Sequence, residues 1–107
     1  MTKREKYIIE LIRDKIKEKD HSAEVILYGS HASGNAKKYS DWDILILLDK
    51  EYVDLKDEQV YRHLLLDLEL EIGEPISVTV YSKKSWNTRH AITPLFRNIS
   101  REGITIT

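Results

Sequence analysis

Residues 25–48 read VILYGSHASGNAKKYSDWDILILL, and this stretch decides the fold predicted for the chain. Its two ends, 25–28 and 44–48, are apolar runs with the length and residue types of buried strands. The second run has apolar side chains on both alternating faces, which is typical of a central strand covered on both sides. The segment between the runs is small and polar and predicts one short helical turn and a loop. Because this connection is short, the chain can turn back, which makes the two strands antiparallel neighbours.

Apolar residues at helical spacing predict a long amphipathic helix on each side of this stretch. The first helix begins with a capping box formed by Thr2 and Glu5. The apolar residues that mark its buried face are Tyr7, Ile8, Leu11, Ile12 and Ile16. The second helix covers residues 54–72. It ends at Gly73, in the position of a C-cap glycine, and Pro75 prevents it from resuming.

The rest of the chain predicts a third strand, a last helix and a short edge strand. Residues 76–81 alternate Ile and Val with Ser and Thr, as a strand with one less apolar face does. Thr93 and Pro94 begin a helix that Gly103 closes, and residues 104–107 add the edge strand. The long second helix is a crossover, so it makes the second and third strands parallel. The expected fold is therefore α/β (α+β), a small mixed β-sheet flanked by helices in the order α-β-α-β-α-β-α.

Length and composition restrict what the chain can be. Its 107 residues fit one domain, 1–107. Lys and Arg number 17 against 18 Asp and Glu, so the net charge of -1 gives no field for holding a nucleic-acid backbone, and direct nucleic-acid binding is not expected. The absence of cysteine excludes disulfides, thiolate zinc sites and cysteine nucleophiles. Residues 1–20 contain no apolar run like a signal sequence or a membrane span, so we expect a cytoplasmic protein without membrane association.

Polar residues with a chemical use cluster where the first predicted strand ends and the second begins. Gly29 and Ser30 end the first strand, and after ten intervening residues Asp41 and Asp43 open the second. If the strands are antiparallel, these residues share one rim of the sheet, and the two carboxylates point the same way while Trp42 points to the opposite face. Two carboxylates so close repel each other unless a cation holds them, and hard oxygen ligands beside a glycine turn suit Mg²⁺ with substrate phosphates. Gly29 lets a phosphate approach the backbone, and the amides of the following helical turn favour an anion.

This order of strand, Gly-Ser, ten residues, Asp-x-Asp and strand resembles the nucleotidyltransferase superfamily typified by DNA polymerase beta, and it is most similar to the minimal nucleotidyltransferases (MNT). The residues that carry the resemblance are Leu27, Tyr28, Gly29, Ser30, Ala32, Gly34, Ser40, Asp41 and Asp43, then 44–48, Val78, Val80, Tyr81 and Ser82, and in the tail Asn98, Ile99, Arg101, Glu102 and Gly103. The resemblance implies that Gly29 and Ser30 bind the phosphates of a nucleoside triphosphate, with ATP expected, and that Asp41 and Asp43 are catalytic residues that bind Mg²⁺. It further implies transfer of a nucleoside monophosphate to a hydroxyl with release of pyrophosphate. Such transfer needs positioning and charge neutralisation rather than a protein nucleophile.

One position departs from the pattern of this family. Relatives that catalyse well place a third carboxylate near the start of the next strand, where it acts on the metal and as a base, and here that position is Ser77. A serine hydroxyl is a poor ligand for Mg²⁺ and no general base at neutral pH. Glu69 and Glu71 lie on the preceding predicted helix and Glu74 precedes Pro75, so a substitute carboxylate is disfavoured. Slow catalysis, single-metal catalysis and absence of catalysis all stay open.

Other polar and aromatic residues have two interpretations each. His31 either contacts phosphate or is an exposed loop histidine. Lys37 and Lys38 are favoured as solvated charge over phosphate ligands. Trp42 and Trp86 are favoured as packing residues over platforms for a base. The remaining histidines show no pairing at metal-ligand spacing and are interpreted as surface or partly packed residues: His21, His63 and His90.

Two hypotheses of different classes follow. In the first, the chain is a Mg²⁺-dependent nucleotidyltransferase whose acceptor is either very small or supplied by another polypeptide. The resemblance implies an all-helical HEPN-type protein as that partner, which the chain would adenylylate or bind as an antitoxin. In the second, the chain is a catalytically weak or inactive nucleotide-binding module that acts through its surface, as an antitoxin or an oligomeric regulator, and a homo-oligomer is an open alternative. Ser77 favours the second hypothesis, and the intact pair Asp41 and Asp43 favours the first.

Overall fold

The strands form one mixed sheet in the computed structural model, which describes residues 1–106. The elements in chain order are α1 (Lys3–Lys19), β1 (Glu24–Tyr28), α2 (Ser30–Ser33), β2 (Trp42–Leu48), α3 (Leu55–Ile72), β3 (Ile76–Ser82), α4 (Lys83–Asn87), α5 (Pro94–Glu102) and β4 (Ile104–Thr105). The strand order in the sheet is β3-β2-β1-β4. β2 pairs antiparallel with β1 and parallel with β3, and β4 pairs antiparallel with β1. The predicted α/β class, the mixed sheet and both strand directions are confirmed.

Strand β2 separates two hydrophobic cores. Ile44, Ile46 and Leu48 belong to the core that α1 and α3 cover. Leu45 and Leu47 belong to the core that α4 and α5 cover. Each of the five side chains is at most 2% exposed, and burying a side chain of this size contributes about 1.5–3 kcal/mol. The prediction of a central strand covered on both faces is confirmed, and this strand presents the candidate site at its first residues.

The predicted capping box of Thr2 and Glu5 and the predicted C-cap glycine Gly73 are both confirmed at the ends of the long helices. Thr2 Oγ1 accepts a hydrogen bond from the Glu5 N–H, and the Glu5 carboxylate accepts one from the Thr2 N–H, so the capping box of α1 is present. Asp54 and Asp57 form a second capping box at the start of α3. Gly73 follows α3 with a φ of +72°, in the left-handed region that favours glycine.

The buried stripe of α1 is narrower than predicted. Its fully buried residues are Ile8, Ile12 and Ile16, each one turn after the last. Tyr7 is 58% exposed, because one residue corresponds to about 100° around a helix and carries it off the stripe. The prediction that Tyr7 faces the core is therefore wrong. Within residues 1–106, no helix combines the length and the apolar character that crossing a bilayer requires.

The predicted order of elements omits α4. This helix follows β3 directly, and its five residues are too few for a repeating apolar pattern. Ser82, whose side chain accepts a hydrogen bond from the Ser85 N–H, is the local signal that marks its start. The helix brings Trp86 into the second core. The predicted edge strand exists as Ile104–Thr105, and Thr107 lies outside the described residues.

Candidate active site

The end of β1 and the start of β2 meet at one rim of the sheet. The antiparallel register pairs Tyr28 with Asp43, so Gly29 and Ser30 follow β1 beside the first residues of β2. The Asp43 carboxylate packs directly against Gly29. A β-carbon at that glycine would overlap with Asp43 Oδ2 and lie 3.0 Å from its Cγ. The structure therefore brings the glycine turn and the second aspartate into contact.

The Gly-Ser turn, which consists of Gly29 and Ser30, has a backbone that glycine alone adopts readily. Gly29 has φ +74° and ψ -156°, a region that is essentially restricted to glycine. Its carbonyl oxygen accepts hydrogen bonds from the N–H groups of Ala32 (3.2 Å) and Ser33 (3.1 Å), which closes the turn into α2. The Ser30 side chain is half-buried, and within residues 1–106 its hydroxyl has no hydrogen-bond partner. This hydroxyl is available to a ligand at the rim.

The aspartate pair, Asp41 and Asp43, carries two negative charges at the same place. Asp41 is exposed just before β2, and Asp43 is half-buried within it. Burial and then the negative charge of Asp41 raise the pKa of Asp43, while His31 acts in the opposite direction. Trp42, between the two aspartates, is fully buried in the core on the other face, as predicted. A half-buried carboxylate that is destabilised by a neighbouring negative charge fits a hard divalent cation such as Mg²⁺.

Ser77 lies level with Asp43, as the sequence predicts. The parallel register of β2 and β3 pairs Asp43 with Ser77, and residues in register point to the same side of a sheet. Ser77 is exposed. Among the described residues, no group of three His, Cys, Asp or Glu side chains is arranged to hold a metal ion. The rim thus presents the carboxylates of Asp41 and Asp43 and the hydroxyls of Ser30 and Ser77.

The neighbouring glutamates have other partners. Glu69 Oε1 accepts a hydrogen bond of 2.6 Å from the Ile76 N–H. Glu74 accepts one of 3.3 Å from the indole N–H of Trp42, on the far side of the sheet from Asp43, and one of 2.7 Å from Arg4. These contacts support the prediction that neither glutamate replaces the missing third carboxylate.

His31 differs from both of its predicted interpretations. Its side chain is only 6% exposed, so it is not a surface loop residue. Nδ1 contacts the Glu5 carboxylate, and Nε2 contacts the backbone oxygen of Ser40, so neither nitrogen is free for phosphate. Glu5 precedes His31 by 26 residues and lies on another helix. No local sequence signal connects the two, which is why sequence reasoning misses this contact.

The other singled-out residues lie away from the rim or in solvent. Lys37 and Lys38 are exposed, as solvated charges would be. Trp86 is buried beside Tyr81 and Phe96, which confirms it as a packing residue. The three remaining histidines behave as predicted, being exposed in two cases and half-buried in one: His21, His63 and His90.

The contacts of Glu5 predict a dependence of stability on acid pH. Its hydrogen bond from the Thr2 N–H, and then that from His31, lower the pKa of Glu5 from 4.5 to about 2. A carboxyl group with a lowered pKa in the folded state stabilises the fold above its unfolded pKa, and this stabilisation is lost as the pH falls. We expect the contribution to the free energy of unfolding to disappear between pH 4.5 and about 2. Glu5→Gln keeps a capping side chain without the charge. In urea unfolding at a series of pH values, its free energy of unfolding should therefore change less between pH 4.5 and about 2 than that of the unaltered chain. Equal slopes for both proteins would contradict the prediction.

Comparison with known proteins identifies the family. A family model described as nucleotidyltransferase domain matches residues 9–100. Two similar solved structures are a toxin-antitoxin with AMP-PNP, at 23% identity, and a toxin-antitoxin MntA-HpeT mutant with two Asp-to-Glu substitutions, at 21%. Each has a TM-score of 0.62, and each alignment covers 96% of this chain and 72% of the other, which shows a shared fold. No curated protein matches the chain. Because the family model spans most of the sequence, the chain belongs to the nucleotidyltransferase domain family, as its resemblance predicts.

Proposed function

We propose that this protein is a Mg²⁺-dependent nucleotidyltransferase that moves a nucleoside monophosphate from a nucleoside triphosphate, with ATP as the expected donor, to a hydroxyl of an acceptor. The observation that carries the proposal is the contact of the Asp43 carboxylate with Gly29, beside Ser30 and Asp41. A phosphate that approaches the glycine backbone there is next to the carboxylates that would hold its cation. Membership of the nucleotidyltransferase family supports the general class of reaction.

Each residue at the rim has a role that follows from its chemistry. The Ser30 hydroxyl donates a hydrogen bond to a phosphate oxygen, and Gly29 lets that phosphate approach its backbone while leaving room for the Asp43 carboxylate beside it. Asp41 and Asp43 would hold Mg²⁺, which when bound neutralises charge on the phosphate oxygens. The acceptor oxygen forms a bond to the α-phosphorus. The bond between the α-phosphorus and the oxygen that bridges it to the β-phosphate breaks, and pyrophosphate leaves with that electron pair. Ser77 cannot take the acceptor proton at neutral pH, so the proton passes to solvent and we expect slow transfer.

Ser77 in place of a third carboxylate favours a second candidate function. A site with two carboxylates and no general base is suited to binding a nucleotide even where transfer is absent. The alternative is therefore a nucleotide-binding antitoxin module that acts by binding a partner. Ser77 is the observation that favours it.

The acceptor in our proposal is a partner protein. The two solved structures of similar fold are described as toxin-antitoxin assemblies, one of them with AMP-PNP. This likeness supports an antitoxin-type role for the chain, and we propose an all-helical HEPN-type protein as the partner that is bound or adenylylated.

The test is transfer of label from α-labelled ATP. The chain is incubated with Mg²⁺ and the protein encoded by the neighbouring gene, and the label on that protein is compared with an Asp43→Ala control. We expect label that depends on Mg²⁺ and on Asp43. Nucleotide binding without label would favour the second candidate function, and the absence of both would contradict the two together.

Substitution of Ser77 tests whether this residue stands where relatives have a third carboxylate. We expect Ser77→Asp to increase transfer by about 10-fold or more, because a carboxylate level with Asp43 adds a metal ligand and a base. A third negative charge also predicts a lower unfolding midpoint without Mg²⁺, which Mg²⁺ restores. Ser77→Asn is the control, since its amide has a similar size but cannot act as a base. Equal rates for the aspartate and asparagine variants would contradict the assignment of this position.

A further inference from the structure

A cluster built around the buried rings of His31 and Trp42 connects helix α1 to both halves of the candidate site. It consists of Glu5, His31, Ser40 and Trp42, and we refer to it as the His31 cluster. His31 Nδ1 lies 3.1 Å from Glu5 Oε2, and Nε2 lies 3.2 Å from the backbone oxygen of Ser40. The imidazole ring stacks on Trp42 with the centroids 3.7 Å apart and the planes inclined by 6°. The His31 ring is therefore held at both nitrogens and on one face.

The chemistry of these contacts gives His31 one preferred position. Both hydrogen-bond partners are oxygens that only accept, a carboxylate and a carbonyl. A ring nitrogen that carries a proton donates it to the oxygen in front of it, so these two oxygens fix the plane and the tilt of the ring. Displacing the buried ring would break its contacts with Glu5 and Ser40 and its stacking on Trp42, so any displacement is costly.

His31 and two of the residues that it contacts, Ser40 and Trp42, each lie one residue from a proposed ligand. His31 itself follows Ser30 in the Gly-Ser turn, Ser40 precedes Asp41, and Trp42 lies between the two aspartates. Ten residues of chain separate the turn from the aspartate pair, and the pairing of β1 with β2 is the other connection between them. The His31 cluster therefore holds the two ends of that segment in one arrangement.

We propose that His31, held by Glu5, is a positioning residue that keeps the Gly-Ser turn and the aspartate pair at the separation that nucleotide binding needs. This inference rests on the proposed function and extends it to helix α1, which contributes no ligand. His31 acts through the backbone on each side of it, because both ring nitrogens are engaged within the protein.

Two measurements on the full chain test this role. Hydrogen exchange of the backbone amides in residues 29–34 and 40–43 reports the order of the two halves without any ligand. Titration with a non-hydrolysable ATP analogue and Mg²⁺ reports binding. His31→Phe keeps a flat ring on Trp42 but removes both hydrogen bonds, whereas His31→Arg keeps a flat group with donors for both acceptors. Ile99→Val, in the other core, is the control for a general loss of stability.

We expect His31→Phe to accelerate exchange in both segments and to weaken binding by about 10- to 100-fold, the range typical of residues that orient ligands. His31→Arg should recover most of the affinity. Glu5→Gln should produce a smaller change in the same direction, and it takes the place of His31→Phe if that variant does not fold. Ile99→Val should leave affinity and both segments unchanged.

The outcomes separate this inference from the proposed function. If hydrogen exchange in both segments is unchanged in His31→Phe, the positioning role is overturned, whether or not nucleotide affinity changes. Faster exchange with unchanged affinity also overturns it, because the cluster is then structural only. Failure of the unaltered chain to bind the analogue instead contradicts the proposed function, and the exchange measurement still decides whether the cluster orders the rim.

Discussion

Asp43→Asn is expected to remove nucleotidyl transfer while making the protein more stable. The carboxylate is a proposed ligand of Mg²⁺, and metal stabilisation of a phosphoryl transition state is worth several kcal/mol, so we expect a loss of about 100-fold or more. The same group destabilises the fold without a cation, because burial and then Asp41 raise the pKa of Asp43. Asparagine keeps the shape and lacks the charge. A gain in stability with a loss of activity is characteristic of a site built for a ligand.

The pH dependence of this gain follows from the direction of the pKa shift. A carboxyl group with a raised pKa in the folded state destabilises the fold progressively as the pH rises above its unfolded pKa, here 3.8. The difference between Asp43→Asn and the unaltered chain should therefore appear in urea unfolding near neutral pH and vanish below about pH 3.8. Asp49→Asn, an exposed position at the other end of β2, is the control and should change neither property. A destabilised Asp43→Asn would contradict the argument.

Gly29→Ala is expected to damage both the fold and the site. Its φ of +74° and ψ of -156° cost a residue with a side chain about 1–3 kcal/mol. The new methyl group also overlaps with Asp43 Oδ2, so the carboxylate must move away from the turn. Together we expect about 3 kcal/mol of lost stability, and weaker nucleotide binding because the proposed cation ligand is displaced.

Gly34→Ala is the matched control for this change. Gly34 also has a positive φ, +81°, but with ψ 11° it lies in the ordinary left-handed region, and a β-carbon there would meet no atom within 4 Å. It should lose about 1 kcal/mol and keep nucleotide affinity. Denaturant unfolding and nucleotide titration measure the two effects. Equal losses of affinity in both variants would mean that strain in the loop, and not the contact with Asp43, is responsible.

The architecture around the site is predictable from short-range patterns in the sequence. Residues 44–48 are apolar on both faces, which indicates a central strand, and the long helix before Pro75 requires a parallel crossover. These two features suffice to place Ser77 level with Asp43, as the register of β2 and β3 confirms. Helix α4 escapes the same reasoning because five residues are too few to repeat an apolar pattern.

The sequence by itself determined the strands, their directions and the rim at which Gly29 and Asp43 meet. Only the tertiary structure decided that the Asp43 carboxylate touches that glycine, that Glu74 faces Trp42 and Arg4, and that His31 is buried against Glu5. The physical reason is the range of each effect. Periodicity and connection length are properties of neighbouring residues, whereas burial and ion pairing depend on atoms that folding brings together from positions 26 and 70 residues apart.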